Sequence, residues 1–399
     1  MKKQMNYTIE FFRFMFACNF VLLHVLIIGA RKLGGAPLFA NGFDVIIPFM
    51  AFSGYFLMRS FQKQKASGIL EKKKPSRIAW EYLKARLIAL LPLTFLTTFA
   101  CIVANCIWFH MPFTVGLMYT INSVTELFGL QISGMYGNDI YGIAAEKGIS
   151  AATTAGPLWF ISGVFFCGYA IYYLLAKDED SYVGWKAPLF ITIFYGVSYL
   201  NNMMPMWNSN LIFGGLNFPS GLFHMFGGMS IGVLLYVAVE NMKDIKWTTG
   251  AKVFLSVIQL FCVVVVFFKS WVSVASPLGQ MFHIGWGATF FITTVFTFLC
   301  LLNVDYVTRC PIFASKIWAT PGRLAMYIYM VHYPLLSFCM LAMGMTTGTY
   351  DANVGRLMTL YFVVLIVSII VGYLIMQLEN KVIQPWLKSS PWAVKEDDK

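Results

Sequence analysis

The chain has 399 residues, of which 58% are hydrophobic and only 12% are charged, and its mean hydropathy is +0.68. About a quarter of the residues of an ordinary soluble domain are charged, so this composition excludes that class and indicates a polytopic membrane protein. The net charge of +11 at pH 7 would suit nucleic acid, but the basic residues follow the predicted topology, and we expect no nucleic-acid partner.

Ten apolar runs are long enough to span a bilayer, which takes about 20 helical residues. They cover residues 8–29, 41–61, 79–108, 157–176, 187–203, 219–239, 251–269, 281–303, 323–344 and 356–379. We therefore predict an all-α fold of about ten transmembrane helices that enclose a central cavity. Residues 1–380 form one transmembrane domain, and residues 381–399 form a short cytoplasmic tail.

The distribution of Lys and Arg predicts the orientation, because cytoplasmic loops of membrane proteins carry an excess of positive charge. With both termini in the cytoplasm, the outer side holds only five of the 29 Lys and Arg residues: Arg31, Lys32, Lys147, Lys269 and Arg356. We predict a multi-pass protein of the cell (plasma or inner) membrane. The densest basic segment, residues 61–77, either sets this topology and contacts anionic lipid or holds a polyanionic cytosolic ligand.

The first apolar run places Arg13 and His24 within a membrane span. Eleven residues make three helical turns and about 20° more, so both side chains leave one face of the helix, roughly 16 Å apart along its axis. An Arg within a span costs at least ~2.5 kcal/mol, so it needs a partner or a function. Alternatively, Arg13 reaches the lipid headgroups, and His24 is a hydrogen-bonded packing residue.

Two further features bear on cofactors and on the long outer loop. The eight cysteines lie mostly in apolar runs, without a CxxC pair or a His/Cys cluster at metal spacing, so we expect no disulfide, no metal and no permanently bound cofactor. The loop of residues 110–156 is apolar in its first half. Part of it is predicted to re-enter the membrane as a half helix.

Motifs in several helices accompany the pair in the first helix. The second helix reads FDVIIPFMAFSGYFL, the third opens with KARLIALLP, the fourth begins PLWFIS, and the ninth reads MYIYMVHYPLL. The motif residues are Glu10, Arg13, His24, Asp44, Ser53, Gly54, Tyr55, Tyr329, His332 and Pro334. Over nearly the whole chain these elements resemble the acyltransferase type 3 family of integral-membrane O-acyltransferases.

Two positions depart from the family's pattern. The second basic residue of the helix-three pair is Ala89 here, which leaves Arg86 and Lys84 to make that contact. His224 stands where an Arg is common in the sixth helix, so no phosphate-binding role is carried over to it.

The resemblance implies transfer of an acyl group, commonly acetyl, from cytosolic acyl-CoA to a hydroxyl of a glycan, lipid-linked sugar or related cell-envelope acceptor. Acyl-CoA is then a donor substrate, and the lipid bilayer is the remaining partner. The residue chemistry is compatible with this reaction, because Arg binds phosphate in a bidentate manner and a neutral His can take the proton of a hydroxyl. In this scheme His24 is the base, and Arg13, Lys84 and Arg86 hold the donor.

The remaining motif residues surround the reacting group. Tyr329 or Ser53 polarises the thioester carbonyl, although Ser53 stands beside a glycine and would equally serve close helix packing. His332 orients His24, binds the acceptor or makes an interior hydrogen bond. Asp44 is the best carboxylate to steer a histidine, because acidic residues are nearly absent from the spans.

The alternative function is a transporter or flippase for a lipid-linked or anionic solute. Transporters usually carry internal repeats with broken helices in corresponding halves, and residues 1–200 and 201–399 show no clear duplication. A passive structural or sensor protein would leave the ionisable residues inside the spans unexplained.

Overall fold

The computed structural model describes residues 5–33, 45–130, 156–200, 210–213, 216–271, 286–345 and 354–389. Eleven helices of ten or more residues lie in these ranges. They are α1 (Tyr7–Leu33), α2 (Ile46–Ala66), α3 (Pro75–Trp108), α4 (Phe113–Asn122), α5 (Trp159–Lys177), α6 (Ala187–Leu200), α7 (Ser220–Met242), α8 (Thr249–Trp271), α9 (Trp286–Leu302), α10 (Ala319–Ala342) and α11 (Val354–Leu378).

Short elements connect or extend these helices. The helical turns are Leu70–Lys72, Val124–Leu127, Gly156–Leu158, Glu179–Ser181, Tyr182–Lys186, Lys316–Trp318, Glu379–Ile383 and Gln384–Ser389. Strands β1 (Asn210–Phe213) and β2 (Leu216–Pro219) form one antiparallel hairpin just before α7, with Asn210 opposite Pro219. The hairpin adds a small β element to the predicted helical fold.

Ten of these helices, all but α4, each overlap one of the ten predicted apolar runs. In the part of the chain that the structure describes, seven are long and apolar enough to cross a membrane: α1, α3, α5, α7, α8, α10 and α11. The chain is therefore a multi-pass membrane protein. The other three are α6 and α9, which are shorter, with 14 and 17 residues, and α2, whose last turns carry Lys63 and Lys65.

Two helices present broad apolar faces to the surroundings. Only 22% of the span in α8 and 28% of that in α11 is buried against protein. The large apolar side chains exposed on α8 are Val253, Phe254, Val257, Leu260, Phe261 and Val264. Such a surface suits lipid tails and not water, so α8 and α11 lie at the periphery of the bundle.

The centre of the bundle is built from two closely packed helix pairs, α1 with α10 and α2 with α7. The second pair packs through two glycines. A Cβ added at Gly54 would lie 1.9 Å from the carbonyl oxygen of Met229, and one added at Gly232 would lie 2.0 Å from that of Ala51. Only glycine allows the two backbones this approach, as is common between membrane helices.

The loop of residues 110–156 begins with a helix in the half where a re-entrant half helix was predicted, and its re-entry into the membrane stays a prediction. Helix α4 covers Phe113–Asn122 in its apolar first half, and Tyr119 of this helix accepts a hydrogen bond from Asn105 of α3 at 2.9 Å. Residues 131–155 of the loop lie outside the described residues.

All eight cysteines are free thiols.

Candidate functional site

Two histidines meet where α1 packs along α10. His24 Nδ1 lies 3.0 Å from His332 Nε2, and the two ring centroids are 4.9 Å apart. Tyr333, the next residue of α10, places its ring edge-on to His24 at 5.6 Å. The structure thus joins two residues that the sequence separates by 308 positions.

The hydrogen-bond partners of this pair indicate which ring nitrogens carry a proton. His24 Nδ1 lies 2.9 Å from the carbonyl oxygen of Phe20, and His332 Nδ1 lies 3.2 Å from that of Ile328. A carbonyl can only accept, so we assign a proton to Nδ1 of each ring. In the neutral pair, the Phe20 carbonyl oxygen and His332 Nε2 share the one proton of His24 Nδ1, and Nε2 of His24 keeps its lone pair for another proton.

The two histidines differ in access. His332 is completely buried, whereas His24 is only half-buried. A residue that takes a proton from a substrate must be reachable, and a residue that holds its ring in place need not be. This division favours His24 as the base and the orienting role for His332 among the three roles predicted for it.

A narrow slot runs beside the histidine pair and is enclosed by four aromatic rings. Phe20, Phe49, Phe160 and Tyr329 contact one another in a closed circuit, with centroid distances of 5.8, 6.3, 6.0 and 5.2 Å. The Tyr329 ring also lies 6.0 Å from that of His332. The free volume between them is about 20 Å³, which is room for about one water molecule.

Arg13 lines the same slot, as expected for a residue that shares a face of one unbroken helix with His24. Its Nη1 donates to both carboxylate oxygens of Glu10, at 3.2 and 3.0 Å. Glu10 itself is pressed against α10, where a Cβ at Gly322 would lie 2.4 Å from its Cβ. Arg13 therefore has the partner that a cation in a span requires, and it faces the interior.

The hydroxyls predicted to polarise a thioester are both engaged. Tyr329 Oη donates to the carbonyl oxygen of Pro157, which ties α10 to the start of α5. Ser53 Oγ donates to the carbonyl oxygen of Phe49 in its own helix, at 2.9 Å. Each hydroxyl has one proton, so in this state neither offers it to a substrate. Ser53 directly precedes Gly54, the glycine through which α2 packs on α7.

Three other predicted site residues do not belong to the described lining of the aromatic slot. Lys84 and Arg86 are half-buried on α3, and the Arg86 guanidinium lies over the Tyr82 ring at 5.3 Å. Neither lines the aromatic slot. Asp44 lies outside the described residues, so its predicted role in steering a histidine stays a prediction.

A second cavity was not foreseen from the sequence. Its volume is about 370 Å³, and it is lined by Met5, Asn6, Ile9, Glu10, Tyr55, Phe56, Arg59, Glu240 and Leu301. Arg13 was predicted to be functional because a cation within a span is costly. Arg59 lies in the second predicted span, so the same argument applies to it. Arg59 was overlooked because it sits close to the basic segment that follows that span.

Taken together, the histidine pair can accept a proton beside a narrow apolar slot, and Arg13 in the lining of that slot can bind an anion. Comparisons of the chain with protein-family models, with curated proteins and with solved structures gave no match.

Proposed function

We propose that this protein is a membrane-embedded acyltransferase. It moves an acyl group, acetyl in the simplest case, from cytosolic acyl-CoA to a hydroxyl of a glycan, lipid-linked sugar or related cell-envelope acceptor. The proposal includes ten membrane spans around a central cavity, with both termini on the cytoplasmic side. The observation that carries it is the aromatic slot, which Arg13 lines, together with the histidine pair beside it, whose His332 ring lies 6.0 Å from the Tyr329 ring of the slot.

The slot matches the shape of the donor. An acyl-CoA has a polyanionic nucleotide at one end and a reactive thioester at the end of a thin pantetheine arm. Cationic side chains suit the phosphates, and an apolar passage suits the arm. In this state the slot has room for only about one water molecule. The four rings must therefore turn aside as the arm enters.

The histidine pair supplies the proton transfer. His24 Nε2 takes the proton of the acceptor hydroxyl as its oxygen attacks the thioester carbonyl, and an O–C bond forms. The C–S bond then breaks, and the departing thiolate takes the proton back from His24 to give the free thiol of CoA. His332 keeps the His24 ring in orientation through the 3.0 Å contact with Nδ1 and stabilises the charge that forms on it.

Release of CoA tests the proposed function directly. Purified protein given acetyl-CoA is expected to release free CoA only when a hydroxylated acceptor from the native envelope is added. The reaction should proceed in detergent as well as in vesicles, because acyl transfer needs no gradient across a bilayer. A thiol-reactive dye measures the CoA.

The opposite result identifies the alternative function. If acetyl-CoA is neither bound nor consumed with any envelope acceptor, while a lipid-linked or anionic solute crosses the membrane of sealed vesicles, the protein is a transporter and the proposal fails.

A second prediction concerns donor binding by the cations. Arg13→Ala and Arg86→Ala should each weaken binding of acetyl-CoA by ~1.5 to 3 kcal/mol, the worth of a hydrogen bond to a charged group. Arg13→Lys should recover only part of the loss, because an ammonium cannot reproduce the planar fork of Arg. Calorimetric titration of the purified variants measures the affinities.

The ion pair with Glu10 calls for a matched control. Removing Arg13 alone leaves a buried carboxylate unpaired, so the Arg13→Ala, Glu10→Gln double variant should restore thermal stability without restoring donor affinity. Recovery of full affinity in the double variant, or unchanged affinity in both arginine variants, would assign these arginines to structure and topology.

A further inference from the structure

The 370 Å³ cavity lies at the basic end of the bundle. It is lined by the start of α1, the last turns of α2, the last turn of α7 and the end of α9, through residues that include Asn6, Arg59, Glu240 and Leu301. The basic segment of residues 61–77 follows directly after α2. Its volume falls within the range of about 300–1,000 Å³ found for small-molecule pockets.

The charged side chains that line this cavity differ in their ion pairs. Glu10 is held by Arg13 at 3.0 Å, and Glu240 is held by Lys243 at 2.9 Å. The hydrogen bond with Glu240 raises the pKa of Lys243 above its usual value, so the lysine stays charged at neutral pH. Within the described part of the chain, Arg59 lies within ion-pairing distance of neither carboxylate. Each carboxylate of the lining is thus neutralised by a cation outside the lining, and among the described residues the half-buried Arg59 guanidinium is the lining charge without an ion-pair partner.

We propose that this cavity binds a phosphate group through Arg59. A guanidinium without a carboxylate partner, in a polar cavity of ligand size, is suited to a bidentate phosphate oxygen pair. Asn6 also lines the cavity, and its amide nitrogen gives one of its two protons to the Cys300 carbonyl oxygen at 2.9 Å. Arg59 is the charged anion contact, and the ligand is a phosphorylated molecule that approaches from the basic side.

This inference rests on the proposed function for its preferred ligand, the phosphates of the acyl-CoA donor. The ion pair of Glu10 and Arg13 connects the two sites, because Glu10 lines the larger cavity and Arg13 lines the aromatic slot. A donor whose phosphates sit on Arg59 would send its pantetheine arm past this pair towards the histidines. The same phosphate chemistry is offered by the headgroup of an anionic lipid.

The test compares Arg59→Gln with a matched control in the full-length protein. Arg323→Gln removes the same charge near the same end of the bundle, one residue from the glycine that touches Glu10, but Arg323 is exposed and lines neither cavity. CoA affinity is measured by calorimetry in nanodiscs of phosphatidylcholine alone. Retained phosphatidylglycerol is measured by native mass spectrometry after reconstitution with that lipid.

We expect Arg59→Gln to weaken CoA binding at least ~10-fold, as the loss of a charge-assisted hydrogen bond predicts, and Arg323→Gln to leave it unchanged. Arg59→Lys should give an intermediate affinity, and it keeps the test valid if the Gln variant does not fold. Unchanged CoA affinity with loss of retained phosphatidylglycerol in Arg59→Gln alone would also support the phosphate site, with lipid as its source.

Two other outcomes separate this inference from the proposed function. If CoA binds equally to wild type, Arg59→Gln and Arg59→Lys, and lipid retention is also unchanged, the phosphate site is overturned while the donor proposal stands. If wild type binds no CoA, the donor proposal fails, and the lipid measurement alone decides the role of Arg59.

Discussion

Replacing His24 by Ala is expected to lower the rate of acyl transfer by about 10²- to 10⁴-fold, the usual contribution of a general base. Expression and CoA binding should remain close to wild type, because the ring lies beyond the slot and not among the cations. His332→Leu should also slow the reaction, since it removes one of the two acceptors of His24 Nδ1 and leaves only the Phe20 carbonyl oxygen of the same helix. His332→Gln, which restores an acceptor, should recover part of the rate. Single-turnover CoA release measures each variant.

A packing role for His24 would give a different pattern. His224 is a second fully buried histidine, on α7, and His224→Ala serves as the matched control for loss of a buried ring. If His24→Ala lowers the melting temperature as His224→Ala does and activity falls only in proportion, His24 is a packing residue. Near-normal turnover in His24→Ala removes it from the mechanism.

Gly232→Leu is expected to prevent correct assembly of the bundle. The added Cβ alone would lie 2.0 Å from the Ala51 carbonyl oxygen and 2.6 Å from the Tyr55 amide nitrogen, and backbone atoms cannot turn aside as a side chain can. Overpacking usually costs ~1–3 kcal/mol, and this overlap with a neighbouring backbone should exceed that range. We expect loss of the monodisperse folded protein in size-exclusion chromatography and a markedly lower melting temperature.

Gly196 provides the control for this substitution. It also lies within a helix, α6, but a Cβ there meets nothing within 4 Å. Gly196→Ala should be neutral or slightly stabilising, because Ala favours helix by up to ~1 kcal/mol over Gly. A Gly232→Leu protein as stable as wild type would show that α2 and α7 do not pack this closely.

The sequence predicted the helices well because each requires only a local signal. A run of about 20 apolar residues is sufficient to place a span, and every predicted run overlaps one of the helices. The shared face of Arg13 and His24 is likewise local, since it depends on the period of one helix. Composition alone does not decide which of the ten runs cross a bilayer, as the basic final turns of α2 illustrate.

The contacts between helices could not be predicted in this way. The pairing of His24 with His332 was one of three predicted alternatives, and no local pattern selects it, because it depends on how α1 packs against α10. The hydrogen bond from Tyr329 to the Pro157 carbonyl oxygen also joins distant segments, and it occupies the hydroxyl proton that was predicted to polarise the thioester. Arg59 carried a local signal, but that it has no ion-pair partner among the described residues emerges only from the structure, where Glu10 and Glu240 each bind another cation.

The circuit of four aromatic rings also bears on how the cell keeps its ion gradients. A path joining a cytosolic nucleotide site to an acceptor on the far side would conduct protons if it held a continuous file of water. Phe20, Phe49, Phe160 and Tyr329 leave space for about one water molecule, and three of the four rings offer no hydrogen-bonding group to extend a chain. A continuous file of water therefore does not fit at this constriction, and widening it, as in Phe49→Ala, should make proteoliposomes leaky to protons.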